Sequence, residues 1–215
     1  MPTLSESRSR LLVSEAGIPV SNWEIANSAE EAVLAAKNLT SPVVVKLCGD
    51  AIAHKTERGL VRLNLDTEGA VKEAANELLS SATPEDGDVE LLISEQIRGN
   101  RELIIGLIRD EQFGPCVMLG VGGILAEALA DVAFRLAPLN KAEANDLIDD
   151  IAMQSLLESF RGEPPVNRET LADILCSISR LGEDSNLLSI DLNPLIISDG
   201  EPIAVDALVE IAKDK

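Results

Sequence analysis

Asp199-Gly200, set between the apolar runs Leu195-Ile-Ile197 and Ile203-Ala-Val205, constrains this chain more than any other short feature. Asp-Gly in that setting signals a two-residue turn joining antiparallel strands. Such a turn fixes the register outward from itself: Ser198 faces Glu201, Ile196 faces Ile203, and Asn193 faces Asp206. Asp191 and Asn193 lie two apart and so share one sheet face, with Ile190 and Leu192 on the other. Asp206 opposes Asn193 at a non-hydrogen-bonded pair, where side chains approach most closely. Three oxygen-bearing side chains therefore converge. Oxygen ligands suit Mg²⁺, which takes one or two carboxylates and leaves room for substrate phosphates. A solvated hairpin end with ordinary acidic residues is the plainer alternative. Pro202 suits this register, whereas Pro194 fits it poorly, so the ladder is expected to be distorted there.

The rest of the core must be aliphatic. Hydrophobic residues make up 46% of the 215, yet there are three Phe, one Trp and no Tyr. Platforms for stacking single-stranded nucleic acid are thus not expected. A net charge of −19 argues further against nucleic acid and anionic membranes as partners. Two readings of the acidic surplus stand: solubility, and adaptation to a salt-rich cytosol. Cys48, Cys116 and Cys176 are far apart, odd in number and without metal-site spacing, so they read as reduced thiols of a cytoplasmic protein. The amino-terminal segment has no apolar signal-like stretch. The most apolar segment, 113–130, is too interrupted by glycine and proline to span a bilayer.

Periodicity predicts helices over 5–16, from Ser28-Ala-Glu-Glu31 (a capping box) to about Leu39, and over 68–81, 141–152 and 168–181. A further helix is expected to run to about Phe160, and a short one to follow Gly123. Strands are predicted at 42–48, 60–65, 89–94, 102–108, 115–119, 187–192 and 195–197. Strands and helices mix without strict βαβ alternation, so the class is α+β, not doubly wound. A lobe boundary is placed near Glu95 to Gly99.

His54 is the only histidine. It lies in Gly49-Asp-Ala-Ile-Ala-His54-Lys55-Thr56, eight residues after Lys46, which interrupts a β-branched run. An imidazole is nucleophilic near neutral pH and can hold a phosphoryl group on nitrogen. Gly49-x-x-x-x-His54-Lys55-Thr56 approaches a P-loop, but histidine replaces the second glycine and a strand-like run follows where a helix is required. The better reading is a loop between antiparallel strands that folds over a nucleotide, with Lys46 meeting phosphate as a point charge. An exposed, inert His54 and an edge-strand gatekeeper role for Lys46 are the alternatives.

Taken together, several segments resemble the ATP-grasp β subunit of ADP-forming acyl-CoA synthetases of the acetate–CoA ligase type. They are Gly17-Ile-Pro19, Pro42-Val-Val-Val-Lys46, His54-Lys55-Thr56-x-x-Gly59-x-Val61, Glu102-Leu-Ile-Ile-Gly106-x-x-x-Asp110, Phe113-Gly-Pro115, Gly120-x-Gly-Gly123-x-x-x-Glu127, Asp131-Val-Ala-Phe-Arg135-x-x-Pro138, Phe160-Arg-Gly162 and Asp191-Leu-Asn-Pro-Leu195. The resemblance covers essentially the whole chain. It implies one ATP-grasp domain with lobes at 20–95 and 96–215 and the nucleotide clamped between them. It implies that Lys46 and the loop Ala53-His54-Lys55 contact ATP or ADP phosphates, that Glu95 and Arg98 lie near adenine and ribose, and that Glu102 reaches the ribose. Asp191, Asn193 and Asp206 would hold Mg²⁺, and Gly122, Gly123 and Glu127 would line the docking side of the cleft. His54 would be the β-side phosphohistidine of a relay. Its other histidine would belong to a CoA-binding α partner in an α2β2 or larger assembly, which would also bind the small carboxylic acid. A noncatalytic ATP-grasp regulatory domain and another ATP-grasp carboxylate ligase remain as alternatives. The first would be expected to lose His54 or the metal ligands, and the second would not need His54.

Overall fold

The computed structural model describes residues 3–52, 55, 57–123 and 131–212. Two compact units are distinct. One comprises Thr3–Arg8 and Ser21–Gln96, the other Ser9–Val20 and the chain from Ile97 onward.

Helix α1 (Glu6–Glu15) opens in the first unit. That unit is built on an antiparallel sheet of β1 (Trp23–Ala26), β2 (Val43–Cys48), β3 (Val61–Leu65) and β4 (Glu90–Glu95), in the order β1-β4-β2-β3. Helices α2 (Ala29–Lys37) and α3 (Glu68–Ser80) pack on it. Ser28 accepts from the Glu31 amide at 3.2 Å, as the capping box predicts. The Glu31 carboxylate returns to the amide of Asn27, one residue short of the reciprocal bond. Val43, Val45 and Leu47 of β2 and Leu91 and Ile93 of β4 share a core with Ala29, Ala32 and Ala35 of α2 and Val71, Ala75 and Leu78 of α3. Burying each Val, Leu or Ile contributes about 1.5–3 kcal/mol. Strand β2 is buried on both faces, which explains why it reads as an apolar run without alternation. Its one charged residue is Lys46.

The segment from β2 to β3 is anchored at its far end. Arg58 donates to both oxygens of Asp86, at 2.7 and 3.0 Å. Asp86 is buried and also accepts from the Thr83 amide and hydroxyl. The Arg58 guanidinium first, and the Thr83 amide second, hold its carboxyl well below the usual carboxylate range.

The second unit contains a larger antiparallel sheet in the order β10-β8-β5-β6-β7, with β9 paired to β8. Its strands are β5 (Arg101–Asp110), β6 (Gly114–Val121), β7 (Val132–Leu136), β8 (Leu187–Ser198), β9 (Glu201–Ala204) and β10 (Leu208–Ile211). Helices α4 (Lys141–Asp149) and α5 (Arg168–Leu181) cover one face. Leu103, Ile105 and Leu107 of β5, Val117 and Leu119 of β6, and Ile190 and Leu192 of β8 are buried there, with Leu147, Leu171 and Leu175 of the helices. The opposite face carries Glu102, Gly106 and Asp191 (Gly106 pairs with Asp191) and leaves Ile108, Phe134 and Leu136 more than half exposed. All strand pairs between named strands are antiparallel, consistent with α+β.

Three expectations change. The helix expected to reach Phe160 is a single 3₁₀ turn, Gln154–Leu156. Asp131 takes the amides of Ala152 and Met153, and the Gln154 side chain takes the carbonyls of Ile148, Asp149 and Ile151. Backbone groups that would propagate a helix are thus engaged by side chains, and α4 ends at Asp149. Second, the two strands predicted at 187–192 and 195–197 are one strand, β8, whose pairing with β5 shifts register where Asn193-Pro194 intervene. Third, three strands of four or five residues, β1, β7 and β10, add to those predicted. The short helix expected after Gly123 lies outside the described residues.

Arg101 fixes the segment after α4. Its side chain is 1% exposed and donates to Glu163 and to the carbonyls of Leu156, Glu158 and Pro164. Arg101→Met should lower the unfolding free energy by about 3 kcal/mol in urea denaturation; a loss under about 1 kcal/mol would contradict this pinning role. The Asp86 carboxyl titrates lower in the folded chain than its unfolded value of about 3.9. Its contribution is therefore full above that value and fades as pH falls toward the folded one. Asp86→Asn should melt below wild type at pH 7, and the gap should close as melts are repeated below pH 4.

Candidate phosphate and cation sites

Strand β2 lies between β4 and β3, so Lys46 is central and the edge-gatekeeper alternative fails. Its side chain is 9% exposed. The Lys46 ammonium donates to Glu6 Oε1 at 2.6 Å, and the Lys55 ammonium lies 2.8 Å from Glu6 Oε2. The Cys48 thiol approaches the same Oε2 at 3.9 Å. Glu6 has 0% side-chain exposure and stands in the first turn of α1, where the helix dipole favours negative charge. Helix α1, strand β2 and the segment after it thus bring two ammonium groups, one buried and one partly buried, onto one buried carboxylate. In a chain of net charge −19, this trio carries a formal surplus of one positive charge.

The segment itself has the predicted setting. β2 and β3 are antiparallel, and the described residues between them include no helix of the kind that a P-loop needs. Gly49 is required by close approach: a Cβ there would lie 2.8 Å from the Asp88 carbonyl oxygen. Gly59 has φ +68, and the Leu60 amide donates to the Lys55 carbonyl at 2.8 Å, closing the turn. Ala53, His54 and Glu127 lie outside the described residues.

Glu95 ends β4 and its carboxylate accepts from the Thr40 amide and the Asn22 side chain, each within 3.0 Å. Those bonds tie the ends of β1 and β2 to β4, a structural task that the sequence did not suggest. Arg98 is exposed. Glu102 stands on the open face of β5, and its carbonyl accepts from the Gly122 amide at 2.8 Å. A Cβ on Gly122 would meet Glu102 at 3.1 Å, and Gly123 has φ +79 beside the Glu102 carboxylate. Gly122, Gly123 and Glu102 are therefore one local cluster.

The hairpin keeps its predicted register from Ser198–Glu201 through Ile196–Ile203 to Leu195–Ala204. It stops there, before Asn193 and Asp206. The Asn193–Pro194 peptide is cis, the Val205 amide bonds to the Pro194 carbonyl at 3.2 Å, and Asp206 accepts from the amide of Ala207. Asn193 and Asp206 are thus not a ladder pair, a correction to the predicted geometry. Asp191 and Asp206 nonetheless interact. Solvent reaches Asp191, yet lost solvation first, and the negative charge of Asp206 second, push its carboxyl above its ordinary value. Two carboxylates that raise one another's energy, with an amide oxygen two residues from one of them, are a donor set that a hard divalent cation fits.

Sequence reasoning missed Glu6. An acidic residue in a first helical turn reads as a dipole complement, and nothing local reveals that it reaches a strand 40 residues away.

An ATP-grasp domain model matches residues 2–211. The chain is 38% identical, over 95% of its length and 90% of the relative's, to the β subunit of ADP-forming acetate–CoA ligase I from Pyrococcus furiosus. Among solved structures it is similar to acetyl-coenzyme A synthetase 1 of Ca. Korarchaeum cryptofilum in complex with coenzyme A and Ca-AMPCP. That likeness has a TM-score of 0.91 at 37% identity and covers 98% of this chain and 94% of the other. A second structure of that protein, with coenzyme A and Mg-AMPPCP and its phosphohistidine segment pointing towards the nucleotide-binding site, gives 0.85 at 36% identity over 98% and 93%. The chain belongs to the ATP-grasp family, among the β subunits of ADP-forming acetate–CoA ligases.

Proposed function

We propose that this chain is the phosphoryl-carrying, nucleotide-handling β subunit of an ADP-forming acyl-CoA synthetase. With a CoA-binding α partner it interconverts acyl-CoA, ADP and phosphate with carboxylic acid, CoA and ATP. The carrying observation is that two ammonium groups, of buried Lys46 and partly buried Lys55, are drawn onto one carboxylate, Lys55 being next in sequence to the chain's only histidine. Two ammonium groups so placed can each meet a phosphate oxygen, and the imidazole that precedes Lys55 in the sequence is the group that can carry a phosphoryl between reactants.

In this reading the partner converts acyl-CoA and phosphate into an acyl phosphate and free CoA. The phosphoryl moves to a histidine of the partner, releasing the carboxylic acid, and then to a nitrogen of His54. A terminal oxygen of ADP attacks the phosphorus, the P–N bond breaks, and its electron pair returns to the imidazole. Lys46 and Lys55 orient the phosphates and offset their charge during transfer. Asp191, Asn193 and Asp206 would hold Mg²⁺, which supplies further charge neutralisation when bound. Glu102 and Glu95 are assigned to ribose and adenine recognition with Arg98, while Ala53 and Glu127 complete the assigned segments. The relay's second station is assigned to the partner, in an α2β2 or larger assembly.

Incubation of the full chain with Mg²⁺ and [γ-³²P]ATP should give an acid-labile, base-stable label that Glu or Asp phosphorylation would not mimic. His54→Ala should abolish it; label that survives in this variant overturns the assignment. Asp191→Asn and Asp206→Asn should each raise the Mg²⁺ concentration for half-maximal labelling on the order of tenfold. Metal-free Asp191→Asn should melt no lower than wild type, since it removes a charge that burial and Asp206 oppose. An unchanged Mg²⁺ requirement would remove these residues from the cation site.

A further inference from the structure

We propose that Glu6 is the internal counter-anion of the phosphate site, a positioning residue that sets both the aim of Lys46 and Lys55 and their appetite for anions. The inference rests on the reading of Lys46 as a phosphate ligand. Its ground is geometric. The Glu6 side chain has no solvent exposure, yet it carries a charge, which is tolerated only with close partners. Its partners include the two lysines, at 2.6 and 2.8 Å, one on each carboxylate oxygen. A carboxylate held at both oxygens resembles a phosphoryl group held at two of its oxygens.

An ammonium group has three N–H donors. Each lysine can keep one on Glu6 and turn another to a phosphate oxygen, so the carboxylate need not leave for a nucleotide to bind. It does lower the field that the nucleotide meets, because the trio carries one surplus positive charge where two bare lysines would carry two. Glu6 thus exchanges affinity for aim. A site with that reduced field discriminates against small monovalent anions, which cannot engage both lysines at once, and favours a polyphosphate, which can.

The test compares wild type with Glu6→Gln, Glu6→Asp and Lys46→Ala in the full chain, using ADP as the probe. Glu6→Gln should bind ADP on the order of tenfold more tightly, since one like charge beside the phosphates is removed. Its affinity should fall more steeply with salt, and ADP should raise its melting temperature by more than it raises that of wild type. Its rate of His54 labelling at saturating ATP should drop, because the lysines lose their aim. Glu6→Asp keeps the charge with a shorter reach, so it should slow labelling without tightening ADP. A purely structural ion pair predicts otherwise: Glu6→Gln would melt lower, with the same ADP-induced rise and the same labelling rate per folded chain. That result overturns the proposal. If Glu6→Gln folds only with ligand, saturating ADP should restore it, and a chain that stays unfolded there contradicts the proposal. Lys46→Ala separates the two levels. If it leaves ADP binding unchanged, the phosphate reading falls and takes the Glu6 proposal with it. If it weakens ADP binding while Glu6→Gln does not tighten it, only the Glu6 proposal falls.

Discussion

A carboxylate buried between two lysines organises the first unit. Charge is costly to bury, and three charges are costlier than one unless they meet at hydrogen-bond distance. Glu6, Lys46 and Lys55 meet that condition from a helix, a strand and the segment beyond it. The first turn of α1 is thereby tied to the centre of the small sheet, and the His54 segment is held at Lys55. The Arg58–Asp86 pair holds the same segment at its other end. Lys55 and Arg58 thus anchor the first and the last part of the stretch that leads into β3.

The second unit works by different means. Its larger sheet buries Leu103, Ile105 and Leu107 against α4 and α5 and leaves the other face open, with Glu102 and Asp191 on it. Alternation along β5 and β8 sends Leu103, Ile105, Leu107, Ile190 and Leu192 one way and Glu102 and Asp191 the other. Gly106 pairs with Asp191 and Gly122 lies against Glu102, so the acidic groups stand where neighbouring side chains are smallest.

Much of this was legible in the sequence because it depends on local signals. The Asp199-Gly200 turn set the hairpin register through Leu195–Ala204, and apolar periodicity located α1, α2, α3, α4 and α5. The misses have a common cause: tertiary bonds that no local pattern carries. Gln154 and Asp131 capture backbone groups that would otherwise extend a helix, and the irregular geometry at Asn193-Pro194 ends a ladder that pure alternation would continue. Glu6 is the sharpest case. It is an ordinary acidic residue by sequence, and its significance comes from a contact across 40 residues.

The most direct measurement is a structure of the full chain with ADP and Mg²⁺ bound. The account predicts phosphate oxygens within about 2.7–3.2 Å of the Lys46 and Lys55 ammonium groups, with at least one lysine still bonded to Glu6. Phosphates bound elsewhere, with the Glu6 trio unchanged and in contact with no part of the nucleotide, would contradict it.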